Sequence, residues 1–120
     1  VLDYMRKNGL LKLVKEQMKR ADCTYIGSSA GAMIAGTDIY LAEDFDENIV
    51  GLTDLKALGL FDGSVIPHYS GQNLKCYIKN SNQEDIRRYS ELYSVDDNEA
   101  LVAEDSGVKK VEFERVKVEK

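Results

Sequence analysis

The sequence predicts a single α/β domain with a mostly parallel sheet flanked by helices. Two observations support this class. The first third of the chain reads helix, helix, strand, tight turn and helix, an order typical of parallel strands joined by helices. A second short apolar strand is expected at Ser64–Ile66, directly before Pro67. The chain has 120 residues, enough for one hydrophobic core, so we treat residues 1–120 as one domain.

Two amphipathic helices are expected at the start of the chain. The first begins near Leu2 and ends at Asn8-Gly9, a common helix-stop signal. The second runs from about Leu10 to Arg20. Its apolar side chains recur at helical spacing and are expected to face the core, while the lysines between them face water. These apolar side chains are Leu11, Val14 and Met18.

The central part of the chain alternates between apolar and polar segments. Cys23–Ile26 is expected to form a buried strand, Gly27–Gly31 a tight turn, and Ala30–Ala35 a helix. Thr37–Val50 is polar and acidic, so we expect it to lie outside the core. Leu52–Phe61 is interpreted as a short helix or turn.

The last third of the chain combines a loop, an amphipathic segment and two strands. Ser70–Gln83 is loop-like, and Gln83–Tyr93 has apolar residues at helical spacing. Ala100–Ala103 and Val108–Val118 are expected to be strands because apolar and charged residues alternate there. Asp105–Gly107 is the expected turn between them.

Composition excludes several classes of protein. Apolar residues make up 43% of the chain and charged residues 31%, as in ordinary globular domains. The net charge is −5 and the basic residues are scattered, which argues against nucleic-acid binding. No segment is apolar enough for a membrane span, and no signal peptide is apparent. Two cysteines and one histidine favour neither a disulfide framework nor a metal site, so we expect no cofactor and a cytoplasmic location.

Gly27-Ser28-Ser29-Ala30-Gly31 matches the G-x-S-x-G pattern of a nucleophile elbow. A serine between a strand and a helix occupies a strained turn, and crowding there favours very small residues two positions away. The N-terminus of the following helix favours the negative charge that develops during attack. A plain Gly/Ser turn has the same composition. A phosphate-binding loop is disfavoured because the segment has no lysine. We therefore expect Ser29 to be a nucleophile.

A serine hydroxyl needs a neighbouring base, and histidine is the usual one because it exchanges a proton near neutral pH. The sequence has one histidine, His68, which follows the predicted strand Ser64–Ile66. Ligands of α/β sheets bind beyond the carboxyl ends of the strands, so Ser29 and His68 are expected at the same edge. A third, acidic group should orient the imidazole. Spacing alone leaves four acids open between them: Glu43, Asp44, Asp46 and Glu47.

Two segments resemble the dipeptidase E and cyanophycinase family of serine peptidases. One is Tyr25–Ala32, with Ala35-Gly36 after it, which is similar to the family's small residue followed by Ser-Ala-Gly-Ala. The other is Ala57–His68, where Leu58-Gly59-Leu60 leads into a strand and then Pro-His. The similarity covers roughly residues 4 to 68 well and the remainder loosely. Each motif alone is weak, whereas the two together are specific.

The resemblance implies a fold like that of the class I glutamine amidotransferases, with Ser29 as the attacking group and His68 as its base. It places the acid at Asp44, with Glu47 and Glu43 as alternatives. It also implies that the N–H of Ala30 donates one of two hydrogen bonds to the oxyanion. The implied substrates are small peptides, including aspartyl dipeptides.

The same resemblance implies that family domains are longer at the N-terminal side, where the second oxyanion donor lies. We therefore expect this chain to be the C-terminal part of a serine peptidase domain, or to associate with copies of itself through an uncovered sheet edge. Two other functions are considered. One is an esterase of the α/β-hydrolase type, disfavoured because His68 follows Ser29 too closely. The other is an inactive remnant that acts as a structural or interaction domain.

Overall fold

The computed structural model describes residues 1–44, 46–68 and 91–113. Its helices are α1 (Leu2–Lys7), α2 (Leu10–Gln17), α3 (Ala30–Ala35) and a 3₁₀ helix (Tyr40–Asp44); its strands are β1 (Ser64–Ile66), β2 (Leu92–Ser94), β3 (Glu99–Glu104) and β4 (Gly107–Glu112). Strands β1 and β2 pair in parallel, and β3 and β4 form an antiparallel hairpin. The predicted α/β class is confirmed.

The two N-terminal helices form, but α2 ends at Gln17 rather than near Arg20, so Met18 is its C-cap and not one of its core-facing residues. Gly9 lies between α1 and α2 with φ 71°, a left-handed conformation that glycine adopts without strain. Leu11 and Val14 of α2 pack against the core, while the lysines of that helix are exposed. The Arg6 side chain of α1 donates to the carbonyl oxygens of Asp54 (2.7 Å) and Lys56 (2.8 Å). Helix α1 is thereby attached to the segment that precedes β1.

Helix α3 lies between two groups of buried side chains. Ile34 packs with Leu2 of α1 and with Ala57 and Leu58, whereas Met33 packs on the other side. The partners of Met33 there are Leu41 and Ile66. Ile39 packs against both groups and joins them into one continuous core. The helix that begins at the predicted nucleophile is therefore at the centre of the packing.

The C-terminal end of α3 is capped by the main chain. The N–H groups of Leu58, Gly59 and Leu60 donate to the carbonyl oxygens of residues 34, 36 and 35, at 2.9, 2.8 and 2.9 Å. The last carbonyl groups of a helix have no partner within the helix, and these bonds provide one. The Leu58-Gly59-Leu60 motif thus fastens α3 to the segment that leads into β1.

The strand expected at Cys23–Ile26 is not formed within the described residues. Cys23 and Tyr25 are half-buried, but Ile26 is 91% exposed. The side chains alternate between the two faces, and no described segment forms a ladder with this one. An apolar run becomes a strand only when a neighbouring strand pairs with it, which a single segment cannot reveal.

The expectations for Thr37–Val50 and Leu52–Phe61 are also corrected. Leu41 is only 1% exposed, so the acidic segment contributes to the core. Leu52–Phe61 is not helical; it runs alongside the chain near Asp38, with a bridge between Asp38 and Lys56. Isolated apolar residues in polar segments are buried here by tertiary packing, which local composition does not report.

Leu92–Ser94 forms β2, although Tyr93 was expected to end an amphipathic segment with apolar residues at helical spacing. It pairs with β1 in the register Ser64↔Leu92 and Ile66↔Ser94. The expectations for residues 70–90 lie outside the described residues. The C-terminal hairpin forms as predicted, with β4 described up to Glu112; the expected extension to residue 118 lies mostly outside the described part of the chain.

Gly36→Ala is expected to destabilise the fold by about 2 kcal/mol. A Cβ at Gly36 would lie 2.6 Å from the carbonyl oxygen of Gly63, a backbone atom that already accepts the N–H of Thr37 at 2.9 Å. Denaturant unfolding measures the loss.

Gly51→Ala is the control for the Gly36 substitution. Gly51 has φ 64° but nothing within 4 Å of an added Cβ, so only the left-handed backbone, worth about 1 kcal/mol, opposes alanine. Equal unfolding midpoints for the two variants would contradict the close approach at Gly36.

Candidate active site

Ser29 occupies a strained turn directly before α3. Its φ is 51° and its ψ is −118°, and the residue is exposed. In the described ranges, only one other non-glycine residue has a positive φ: His68, with φ 56°. Residues other than glycine rarely adopt such backbone angles. Where they do, the strained residues are often found at functional sites. The two strained residues are the predicted nucleophile and the predicted base.

Crowding around the turn explains Gly27. A Cβ there would lie 2.4 Å from the carbonyl oxygen of Gly31 and 2.7 Å from the ring of Tyr25. At Gly31 the nearest atom to an added Cβ is the Tyr25 hydroxyl at 3.6 Å, an ordinary contact. The expectation that both flanking residues must be glycine or very small holds at position 27, whereas the described contacts leave room for a Cβ at position 31.

The half-buried Tyr25 side chain contacts the turn. Its hydroxyl donates to the carbonyl oxygen of Gly31 at 2.7 Å. Burial raises the pKa of the Tyr25 hydroxyl, so it stays protonated and remains a donor across the neutral pH range. This bond connects the residues that enter the turn with the first turn of α3.

His68 lies within hydrogen-bond distance of Ser29. The Nε2 atom of the ring is 3.0 Å from Ser29 Oγ. His68 comes two residues after the end of β1, and Pro67 fixes the direction of the chain between them. The expected proximity of the two side chains is observed.

The other ring nitrogen of His68 contacts an acid that the sequence analysis did not consider. Nδ1 is 2.8 Å from Asp97 Oδ1. An ionised carboxylate can only accept hydrogen bonds, so Nδ1 carries the proton. In the neutral ring Nε2 is then the acceptor, and the Ser29 hydroxyl donates to it. The three side chains form one directed line of hydrogen bonds from Ser29 to Asp97.

Strand β2 explains why Asp97 reaches the histidine. It lies beside β1 in the same direction, so the two strands end at the same edge. Just beyond that edge, the N–H of Val95 donates to the carbonyl oxygen of Ile66 at 3.0 Å. His68 and Asp97 follow within three residues of their strand ends. The rule that located His68 would also have located Asp97, had β2 been identified as a strand.

The ring nitrogen that was expected to face Asp44 contacts Asp97 instead, and the role of Asp44 stays a prediction. Asp44 ends the 3₁₀ helix, and its side chain lies outside the described part of the structure. Glu43, Asp46 and Glu47 are exposed. Ser29 and Asp97 contact the two ring nitrogens of His68.

Ala30 is the first residue of α3 and directly follows Ser29 in the sequence. The three following N–H groups, of residues 31 to 33, donate to the carbonyl oxygens of Ser28 and Ser29. The N–H of Ala30 is one of the orphan donors at a helix start. The expected role of this N–H as an oxyanion donor stays a prediction.

The line of side chains is open to solvent. The side chain of His68 is 62% exposed and that of Asp97 is 71% exposed. Water screens an exposed pair strongly, so the attraction between the two side chains does little to hold them in place. Their alignment has to come from the backbone on which each is mounted.

The described residues contain no helix long and apolar enough to cross a membrane. In that same part of the chain, no three or more His, Cys, Asp or Glu side chains are grouped so that they could hold a metal ion.

The chain has the class I glutamine amidotransferase-like fold, with a serine at the turn before α3. The model of peptidase family S51 matches residues 1–111, and the chain belongs to that family. This confirms the resemblance to the dipeptidase E family and overturns the alternative of an α/β-hydrolase esterase, which has another fold.

Relatives of this chain are known from several bacteria. An uncharacterized peptidase of Listeria monocytogenes is 32% identical over 106 residues, which is 84% of this chain and 49% of that protein. An uncharacterized peptidase of Listeria innocua is 29% identical over 110 residues, covering 90% of this chain and 52% of the relative. The chain therefore spans about half the length of the relatives it matches.

A solved structure shows the same fold. A candidate peptidase E protein from Listeria monocytogenes EGD-e superposes with a TM-score of 0.72 at 30% identity. The match covers 94% of this chain and 54% of that protein.

Ser29→Gly is expected to be more stable than Ser29→Ala by about 1 kcal/mol. Alanine keeps the strain of φ 51°, whereas glycine relieves it. Thermal and denaturant unfolding of the two variants, neither of which has a hydroxyl, measure the difference. An alanine variant as stable as the glycine variant would show that the turn is not strained.

Proposed function

We propose that this protein is a serine peptidase in which Ser29 attacks, His68 acts as general base and acid, and Asp97 orients the imidazole. The observation that supports this most strongly is the line of two hydrogen bonds from Ser29 Oγ through the His68 ring to Asp97 Oδ1. Membership of peptidase family S51 supports the reaction class.

In the proposed reaction, Ser29 Oγ forms a bond to the carbonyl carbon of the scissile peptide while its proton moves to His68 Nε2. The carbonyl π electrons move to oxygen, and the N–H of Ala30 donates to that oxyanion. When the tetrahedral intermediate collapses, the carbon–nitrogen bond breaks and Nε2 gives its proton to the leaving amine.

The second half of the reaction releases the acyl group. A water molecule attacks the ester on Ser29 and gives its proton to Nε2, and the proton then returns to Oγ as the ester bond breaks. Throughout, Asp97 accepts the hydrogen bond from Nδ1–H, which stays on the ring, and stabilises the imidazolium that forms twice per cycle.

We propose small peptides as substrates, and peptides with an N-terminal aspartate as the first to test. The support is the resemblance of the elbow and Pro-His segments to dipeptidase E, together with the similarity to a candidate peptidase E protein. Cytoplasmic location and association with copies of the chain stay predictions; light scattering on the purified protein measures the association.

Ser29→Ala is expected to lower kcat by about a thousandfold or more, because no other group in the line can form the acyl intermediate. Hydrolysis of aspartyl dipeptides, followed by release of the free amine, gives the rate. Ser28→Ala is the matched control: it removes a neighbouring hydroxyl from the same turn and should retain most activity. Full activity in Ser29→Ala would refute the proposed nucleophile.

Asp97→Asn is expected to lower kcat by about 10²- to 10⁴-fold with the fold intact, because an amide no longer fixes the Nδ1–H tautomer. Asp44→Asn should change kcat by less than about threefold. Steady-state kinetics of the two variants, with circular dichroism to verify folding, distinguish the two acids. A large loss in Asp44→Asn and none in Asp97→Asn would show that Asp44 is the orienting acid.

A further inference from the structure

We propose that Glu99 is a positioning residue: its carboxylate fixes the turn that presents Asp97 to His68. This inference rests on the proposed function, since it assigns a task to Glu99 only if Asp97 orients the histidine. The side chain of Asp97 is exposed, so too little protein surrounds it for packing to hold it in place.

Asp97 is in the middle of a turn closed from both sides. Glu99 Oε2 accepts the N–H of Asp96 at 3.0 Å, and the N–H of Glu99 donates back to the carbonyl oxygen of Asp96 at 3.2 Å. Asp96 Oδ1 accepts the N–H of Asn98 at 2.6 Å. This reciprocal arrangement, a side chain reaching back to a backbone N–H three residues earlier, resembles a helix capping box and fixes the backbone similarly.

The turn is also attached to both sheets. On its N-terminal side, the N–H of Val95 donates to the carbonyl oxygen of Ile66, at the end of β1. On its C-terminal side, the N–H of Phe113 donates to the carbonyl oxygen of Asn98 at 2.7 Å, just beyond β4. The backbone at Asp97 is therefore fixed relative to β1, which leads to His68, and relative to the hairpin.

The side chain of Glu99 is itself held in place by its surroundings. Its side chain is 15% exposed, and Lys110 Nζ lies 3.4 Å from its Oε2. Lys110 is diagonal to Glu99 across the β3–β4 pair, on the same face of the hairpin. A partly buried carboxylate needs such partners, and with two donors on one oxygen it has few alternative positions. The hairpin thus holds Glu99, and Glu99 holds the turn.

A purely structural glutamate would lower stability without changing the geometry of His68. A positioning glutamate has two further consequences. Its loss lowers kcat while KM stays unchanged, because the orientation of the base matters for the chemical steps. Its loss also weakens the bond from His68 Nδ1–H to Asp97, which proton and nitrogen NMR of the histidine report directly.

Two substitutions separate the hydrogen bond from the charge. Glu99→Asp keeps the charge that faces Lys110 but withdraws the acceptor from the N–H of Asp96. Glu99→Gln removes the charge but keeps an acceptor oxygen at the same reach. Glu99→Asp is expected to lower kcat by about ten- to hundredfold, and Glu99→Gln by less than about threefold. Glu104→Ala, at the far end of β3, is the matched control and should leave kcat unchanged.

The protein is measured by steady-state hydrolysis, by thermal unfolding, and by NMR with histidine labelled at nitrogen. The His68 signals are assigned by their loss in His68→Gln. The expected result is a downfield Nδ1 proton and the Nδ1–H tautomer in wild type and Glu99→Gln, and loss of both in Glu99→Asp. Asp97→Asn combined with Glu99→Asp should be no slower than Asp97→Asn alone.

Unchanged kcat and an unchanged Nδ1 proton in Glu99→Asp would overturn the inference, as would a loss in Glu99→Gln equal to that in Glu99→Asp. Failure of the proposed function gives a different pattern. In that case Ser29→Ala or Asp97→Asn would leave hydrolysis unaffected, while the NMR comparison would still report whether Glu99 controls the contact between His68 and Asp97.

Discussion

The site depends on the parallel pairing of β1 with β2. The register Ser64↔Leu92 and Ile66↔Ser94 makes the two strands end at one edge, and the bond from the N–H of Val95 to the carbonyl oxygen of Ile66 continues the pairing past it. His68 and Asp97 both follow within three residues of this edge. A shift of β2 by one residue in this register would turn its side chains to the opposite face relative to β1 and so move Asp97 away from His68.

The second requirement is the connection between the serine and that edge, and α3 supplies it. Its N-terminal end carries Ser29, and its C-terminal carbonyl groups accept the N–H groups of Leu58–Leu60, which lead into β1. Met33 and Ile34 bury the helix on both sides. The two motifs that mark this chain are therefore attached to opposite ends of α3: the elbow leads into its N-terminus, and the Leu-Gly-Leu segment before Pro-His caps its C-terminus.

Local features of the sequence were enough to predict that Ser29 and His68 lie side by side. A small-residue turn before a helix can be recognised from a few neighbouring residues, and so can a histidine after a strand. Asp97 could not be found in this way. Strand β2 has three residues, and Tyr93 within it continued an apolar spacing typical of a helix. Only pairing with β1, more than twenty residues earlier in the chain, makes it a strand. The prediction for Cys23–Ile26 was wrong for the opposite reason. The apolar run there suggested a buried strand, but no described neighbour covers Ile26.

Covalent labelling tests most directly whether His68 activates Ser29. A fluorophosphonate reacts with an activated serine hydroxyl by displacement of fluoride, and peptide mass spectrometry identifies the modified residue. We predict an adduct on Ser29 in the wild-type protein, at a rate at least about a hundredfold greater than in His68→Gln. An adduct at another serine, or equal labelling of Ser29 in both proteins, would contradict the proposed activation of Ser29 by His68.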